Sequence, residues 1–325
     1  MSVRVTEIVP GIFRLESILG PRPFAQYLLR EDRAMLVDTG IVSTPDDVLL
    51  PAFRHLGFDP AELDVVLITH ADADHFGGNA AVREAAPRAI LCAHADDVPW
   101  IEDRERILRE RYGWYAAHGA AADYDDDAKA WLRDVMGPDV PVDLQLQGGE
   151  WFRLGPALTV QVLHLPGHTG GHLGLWEPVS RTAIVTDAVL GAGLLNADGV
   201  VIHPPPYVLP ELYEGSIRQL QALRPARLLT AHYPVMEGEA ADRFLEESLA
   251  FVARARAAVR AELEARGEVT LAGLLASLDP ILGPFTSMAN ELGGPLRAHL
   301  RELVASGEAE EFADQQPPVW RRSAR

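Results

Sequence analysis

Residues 68–79 read Ile68-Thr69-His70-Ala71-Asp72-Ala73-Asp74-His75-Phe76-Gly77-Gly78-Asn79, so two histidines and two aspartates fall within six positions. The run before them, Val65-Val66-Leu67-Ile68, is short, largely β-branched and unbroken, which suits a buried strand. Gly77 and Gly78 then admit a sharp turn into residues 79–86, whose pattern is helical. His70, Asp72, Asp74 and His75 are thus expected on a strand-to-helix turn, where side chains can converge. Imidazole and carboxylate together suit zinc, iron or manganese, and carboxylates tilt the choice toward the harder ions. Without a cation the two aspartates would sit uncompensated. A solvated acidic turn is the alternative, and the recurrence of the pattern further along the chain weighs against it.

The recurrence comes at three more strand ends. A strand over residues 158–165 runs into Pro166-Gly167-His168-Thr169-Gly170-Gly171-His172; another, 183–186, ends at Asp187; a last one, 227–230, delivers Ala231-His232. Acids and imidazoles placed repeatedly at strand C-termini are what an open α/β scaffold needs to assemble one site from distant sequence. Other strands are expected among residues 3–29 and at 34–37, 89–93, 144–146 and 173–176, with helices over 45–56 and 210–223. His94, just beyond the 89–93 strand, reads as a polar residue closing a strand or as a partner to a ligand. Residues 96–140 spread Trp100, Tyr112, Trp114, Tyr115 and Trp131 among charges. They suit two or three helices, either a lid over a pocket or an amphipathic pair packing its own aromatics.

Composition narrows the class. The 325 residues, 48% apolar and 23% charged, can form one large unit plus a smaller one. A formal charge of −18 argues against a nucleic-acid partner. The single cysteine, Cys92, excludes an internal disulfide and a thiolate metal cage. With no basic leader followed by an apolar segment and no run of about 18 apolar residues, no membrane association is expected and a cytoplasmic location is.

The motifs Asp38-Thr39-Gly40, His70 to His75 with Gly77-Gly78, His168 to His172, Asp187 and His232 together resemble the metallo-β-lactamase superfamily over residues 1 to 240. The resemblance implies an αββα sandwich with a metal pair at one edge. It implies two divalent metal ions, zinc in the first place and iron or manganese as alternatives. His70 and His168 would serve one ion with Asp72; Asp74, His75 and His232 the other; Asp187 would bridge. Position 72 departs from the family pattern, which has histidine there, and resembles the His-x-Asp-x-Asp-His version of competence-protein hydrolase domains and, more loosely, the flavodiiron version. Asp74 and Asp187 are the expected catalytic carboxylates, with a metal-bound hydroxide as attacking group. His172 follows the motif but not as a ligand, and His203, Tyr207 and Tyr213 are candidate substrate contacts.

Beyond residue 240, helices are expected over 243–266, 269–275 and 292–306, then a hairpin over 309–320. Helices ending in a hairpin resemble the winged-helix appendage of some superfamily hydrolases. Residues 241–325 carry ten Arg and Lys against thirteen Asp and Glu, so they lack the basic stripe that DNA binding needs. They are expected to serve as packing or homodimer surface, or as a wall of the pocket. The expected activity is hydrolysis of a small-molecule carboxylic ester, lactone or thioester. A phosphodiesterase or nuclease, an iron-dependent redox enzyme and a non-catalytic binder are the alternatives.

Overall fold

The computed structural model describes residues 3–323. Seven strands form the first sheet in chain order: β1 (Arg4–Val9), β2 (Ile12–Leu19), β3 (Arg22–Arg30), β4 (Ala34–Val37), β5 (Leu63–Leu67), β6 (Ile90–His94) and β7 (Leu144–Leu146). Tight turns join β1 to β4 as an antiparallel meander. From β4 onward helical crossovers intervene and the pairings turn parallel.

The second sheet follows with β8 (Trp151–Arg153), β9 (Thr159–His164), β10 (Leu173–Glu177) and β11 (Thr182–Ile184). A separate small pair, β12 (Leu194–Leu195) and β13 (Val201–His203), precedes β14 (Arg227–Leu229) and β15 (Met236–Glu237). The spatial order is β15-β14-β11-β10-β9-β8. Sequence reasoning missed β8, β12, β13 and β15, all of three residues or fewer and too short to show a period of two.

The sheets face each other. Ile12, Tyr27, Val37 and Leu67 from one meet Val160, Val162, Leu175 and Leu229 from the other in a shared apolar layer. Helices cover the outer faces. Leu49, Phe53 and Val82 cover the first sheet, and helices Pro210–Leu223 and Glu239–Arg266 cover the second. This is the expected αββα arrangement, with helices on the C-terminal side. Each fully buried Leu or Ile contributes about 1.5–3 kcal/mol, so both outer layers matter to stability.

Two local expectations change. The glycines after the His70 to His75 cluster hold negative φ, −59° at Gly77 and −83° at Gly78, which any residue adopts, so they do not serve a left-handed turn. They serve close approach: a Cβ at Gly77 would lie 2.2 Å from the Val135 carbonyl oxygen, and one at Gly78 2.4 Å from that of Thr39. In the tail, residues 268–270 are a strand, β16 (Glu268–Thr270), rather than the start of a helix. Thr270 is extended and its hydroxyl accepts from the Gly273 N–H, so it caps helix Leu271–Leu282 from outside. The expected hairpin is present as β17 (Ala309–Phe312) and β18 (Val319–Arg322), and β16 adds to it as a third strand. The long helix begins at Glu239, earlier than expected, immediately after Gly238 at φ 50°. Its inner face joins one apolar core with Leu165, Val185 and Tyr213, so the tail packs continuously on the second sheet.

Among the described residues no helix is long and apolar enough to cross a membrane.

Candidate metal centre

The loops after β5, β9, β11 and β14 meet at one edge of the sandwich. His70 follows β5; Asp74 and His75 lie on the short helix Ala73–Phe76; His168, Asp187 and His232 follow the other three strands. Three groups of converging ligand atoms result: His70, Asp72 and His168; Asp74, His75 and His232; and His70, His75 and Asp187 between them. All seven residues singled out in the sequence come together, and the Asp187 carboxylate lies 3.4 Å from His75 Nε2 and 3.3 Å from His232 Nε2.

The four imidazoles are oriented alike. His75 Nδ1 donates to Asp38 Oδ2 at 2.7 Å, His168 Nδ1 to the Pro206 carbonyl at 2.5 Å and His232 Nδ1 to the Pro23 carbonyl at 3.0 Å. His70 Nδ1 lies 3.0 Å from Thr69 Oγ1, whose own proton goes to Asp38 Oδ2 at 2.8 Å, so this ring too must donate outward. Every Nε2 is left facing the centre. Of these, His70 Nε2 and His75 Nε2 are buried without a hydrogen-bond partner, as is Asp187 Oδ1. Buried polar atoms are rarely orphaned, and a convergent set of unpaired imidazole nitrogens and a carboxylate oxygen is what a divalent cation satisfies. The residues present fit such an ion.

Electrostatics sharpens the picture. Burial would raise the Asp187 carboxyl, but His232 and His75 outweigh it and hold it well below the usual carboxylate range. Burial would depress His75, yet Asp38 and Asp187 raise it well above an ordinary histidine. His168 is raised in the same way, with Asp72 outweighing burial. His70 and His172 are pushed well down by burial and by their histidine neighbours. His172 stacks on His70 at 4.5 Å and its Nε2 lies 3.3 Å from Thr186 Oγ1, so it packs behind a ligand candidate.

Several residues with work at the site were not legible as such. Asp38 was visible only as part of a motif, yet it holds both the Thr69 backbone N–H, at 2.7 Å, and His75. Asp97 ties the two histidine loops together, accepting from Ala71 N, Thr169 Oγ1 and Gly171 N at 2.7–2.9 Å. The one hint was its position just past a strand end. Arg111 and Tyr112 reach back from the 96–140 insertion to Asp72. The guanidinium lies 3.1 Å from both carboxylate oxygens, and the tyrosine hydroxyl donates to Oδ1 at 3.0 Å.

Beside the cluster lies a cavity of about 40 Å³, walled by Arg22, Tyr112, Trp131, His203, Met288 and Glu291 among others. The insertion therefore covers the site through Tyr112 and Trp131, while Trp114 and Tyr115 stack on each other at 3.8 Å, so both readings of that segment hold in part. The C-terminal part also forms a wall: Glu291 accepts from Tyr124 Oη at 2.8 Å and pairs with His203 Nε2 at 3.2 Å. His203 is at the cavity as anticipated. Tyr207 and Tyr213 are not: both are buried in the apolar core, Tyr207 Oη lying 2.7 Å from His299 Nε2 and Tyr213 Oη accepting from Leu190 N. His94 is the last residue of β6, stacked on His164 at 4.2 Å, and belongs to none of the convergent ligand groups among the described residues.

Comparisons with known proteins show the family and the fold. The sequence model of the metallo-beta-lactamase superfamily matches residues 19–232. The probable metallo-hydrolase YflN of Bacillus subtilis is 24% identical over 247 residues, which span 72% of this chain and 88% of the relative. A hydroxyacylglutathione hydrolase of Ruegeria pomeroyi is 27% identical over 237 residues, 69% of this chain and 82% of that one. Among solved structures, a metallo-beta-lactamase family protein from Thermus thermophilus superposes with a TM-score of 0.74 at 19% identity, covering 98% of this chain and all of that one. The shared fold thus extends through the C-terminal helices, past the residues that the family model matches.

Proposed function

The chain belongs to the metallo-beta-lactamase superfamily and is a metallohydrolase, and from that premise we propose that it cleaves a carboxylic ester, lactone or thioester, a thioester in the first place. The observation that carries the reading is the inward set of four Nε2 atoms with Asp72, Asp74 and Asp187 beside a small cavity. The relatives named hydroxyacylglutathione hydrolase support the thioester, since an acyl group on a thiol is one. His70, Asp72 and His168 would hold one divalent ion, Asp74, His75 and His232 the other, with Asp187 between, and zinc suits the imidazole majority. Such ions, when bound, polarise a carbonyl and acidify water.

The remaining chemistry belongs to side chains. Asp74, at the cavity wall, can take a proton from water and return it to a leaving thiolate or alkoxide. Arg22, whose guanidinium lies 3.8 Å from Asp74, places positive charge where a carbonyl oxygen becomes negative. Asp38 and the Pro23 and Pro206 carbonyls keep the imidazoles aimed and in one tautomer. A cavity of about 40 Å³ admits water and a reacting group. Aromatic side chains of the insertion exclude bulk solvent.

The test is a panel of lactone, thioester, aryl ester and bis-aryl phosphodiester, each with and without chelator, beside elemental analysis of the purified protein. Chelator-sensitive turnover of an acyl substrate is expected. Preference for the phosphodiester would overturn the acyl reading, and chelator-resistant turnover would overturn the metal centre.

A further inference from the structure

We propose that Arg111 is a built-in counter-charge that makes the His70, Asp72, His168 group the weaker and more exchangeable of two cation positions. This rests on reading the cluster as a metal centre. Arg111 is 6% exposed and sits on the helical stretch Leu108–Tyr112 of the insertion. Its Nε lies 3.1 Å from Asp72 Oδ1 and a terminal nitrogen donates to Oδ2 at 3.1 Å, while Tyr112 Oη also donates to Oδ1. Oδ1 is therefore taken up by the insertion. Oδ2 faces the histidines, 2.8 Å from His168 Nε2 and 3.7 Å from His70 Nε2.

An aspartate paired with a guanidinium carries no net charge, as a neutral imidazole carries none. The pair thus gives this half of the centre the charge that a histidine at position 72 would give it, while Oδ2, which Arg111 also contacts, keeps a lone pair on its histidine side to offer. The same guanidinium repels a cation approaching that oxygen, and the buried setting screens the repulsion little. The Asp74, His75, His232 group has a looser cation and, behind His75, the anion Asp38. That cation, Arg22, is farther from its carboxylate, at 3.8 Å. Arg111 therefore adds to the inequality that Asp38 behind His75 already sets between two equal donor sets, and ions should fill the Asp74 side first.

The experiment is a titration of the metal-stripped full chain with Zn²⁺ against a chromophoric chelator, with bound metal counted by elemental analysis. Wild type should take up two ions in steps separated by roughly a hundredfold, the size of a unit charge acting over several ångströms at an effective dielectric of about 20. Asp72→Asn should lose the weaker step alone. Arg111→Met, which keeps the stem and removes the charge, should tighten the weaker step at least about tenfold and leave the tighter one unchanged. Two equally tight steps in wild type, loss of the tighter step in Asp72→Asn, or an unchanged or weakened second step in Arg111→Met would each overturn the proposal. Should Arg111→Met not fold, the wild-type and Asp72→Asn titrations decide by themselves. A wild type that takes up no Zn²⁺ would overturn the metal centre and the role of Arg111 together, which separates the two failures.

Discussion

The two outer groups of candidate ligands use the same residue types on the same scaffold, two histidines and a carboxylate each, with Asp187 beside one histidine of each in the third group. They differ in what stands behind the carboxylate. Asp74 lies on the short helix at the cavity wall with a distant arginine for company, whereas Asp72 is gripped by Arg111 and Tyr112 from a segment outside the sandwich. On the proposed reading as a metal centre, the groups behind the ligands would set each half's charge along with the ligands themselves.

The largest effect should come from removing what the halves share. Asp187→Ala deletes the carboxylate between them, leaving His75 with Asp38 alone as its close counter-charge and His232 with only the more distant Asp74. Turnover should fall to background and both Zn²⁺ steps should weaken by about a hundredfold or more, the upper range for outer partners alone, in a chain whose circular dichroism stays native. His168→Ala should also abolish turnover but spare one zinc step. Retention of activity in either variant would remove the reading of these residues as metal ligands.

Asp38→Asn should act more on one half than on the other, since Asp38 holds His75 directly and His70 only through Thr69. Asp38 has φ 62°, a left-handed conformation that asparagine tolerates, so the backbone is spared and the loss is electrostatic. The ion on the His75 side should bind roughly 10–100-fold more weakly. An equal loss on both sides would break the comparison.

Protons give a smaller, symmetrical effect. His75 and His168 are raised above the ordinary histidine value of 6.5, so in the metal-free protein each holds its proton to higher pH than a free imidazole does and must release it to an ion. Each half contains one of them. Each zinc step should therefore lose about a factor of ten per pH unit as pH falls below the raised values. In the metal-free protein the linked stability runs the other way, present in full below the unfolded histidine pKa and lost as pH rises through the folded values. Unequal pH slopes of the two steps, read by titration at several pH values, would show that the halves differ in protons as well as in charge.

The smallest effect is that of Tyr112→Phe. It removes one hydroxyl that donates to Asp72 and accepts from the Ala73 N–H at 3.1 Å. Thermal unfolding should register about 1 kcal/mol of lost stability. The weaker zinc step should shift by a few-fold with the tighter one untouched.

The scaffold was legible because each long strand before a ligand is an apolar run closed by a polar or glycine-rich turn, as at 65–68 and 158–165. All seven candidate ligands were legible for the same reason: His168, Asp187 and His232 each stand just past such a run. Arg111 was not. It lies in Arg109-Glu110-Arg111-Tyr112, where charges alternate as on any solvated helix, and nothing in the spacing marks which arginine turns inward. Glu291 was hidden likewise, since its meeting with His203 depends on how the C-terminal helices dock. The 268–270 strand was missed because a capping threonine and an apolar helix start look alike until β18 is seen to pair with it.

Two of the four imidazoles are aimed by the carbonyls of Pro23 and Pro206. A main-chain oxygen survives every substitution of its own side chain, so half of the histidine set is held by groups that a point mutation cannot delete. Proline also supplies no N–H to compete for the ring and fixes its own φ. Mutational damage to the centre should therefore concentrate on the side-chain anchors, Asp38, Asp97 and Arg111, and sequence change around residues 23 and 206 should be tolerated so long as those loops keep their course.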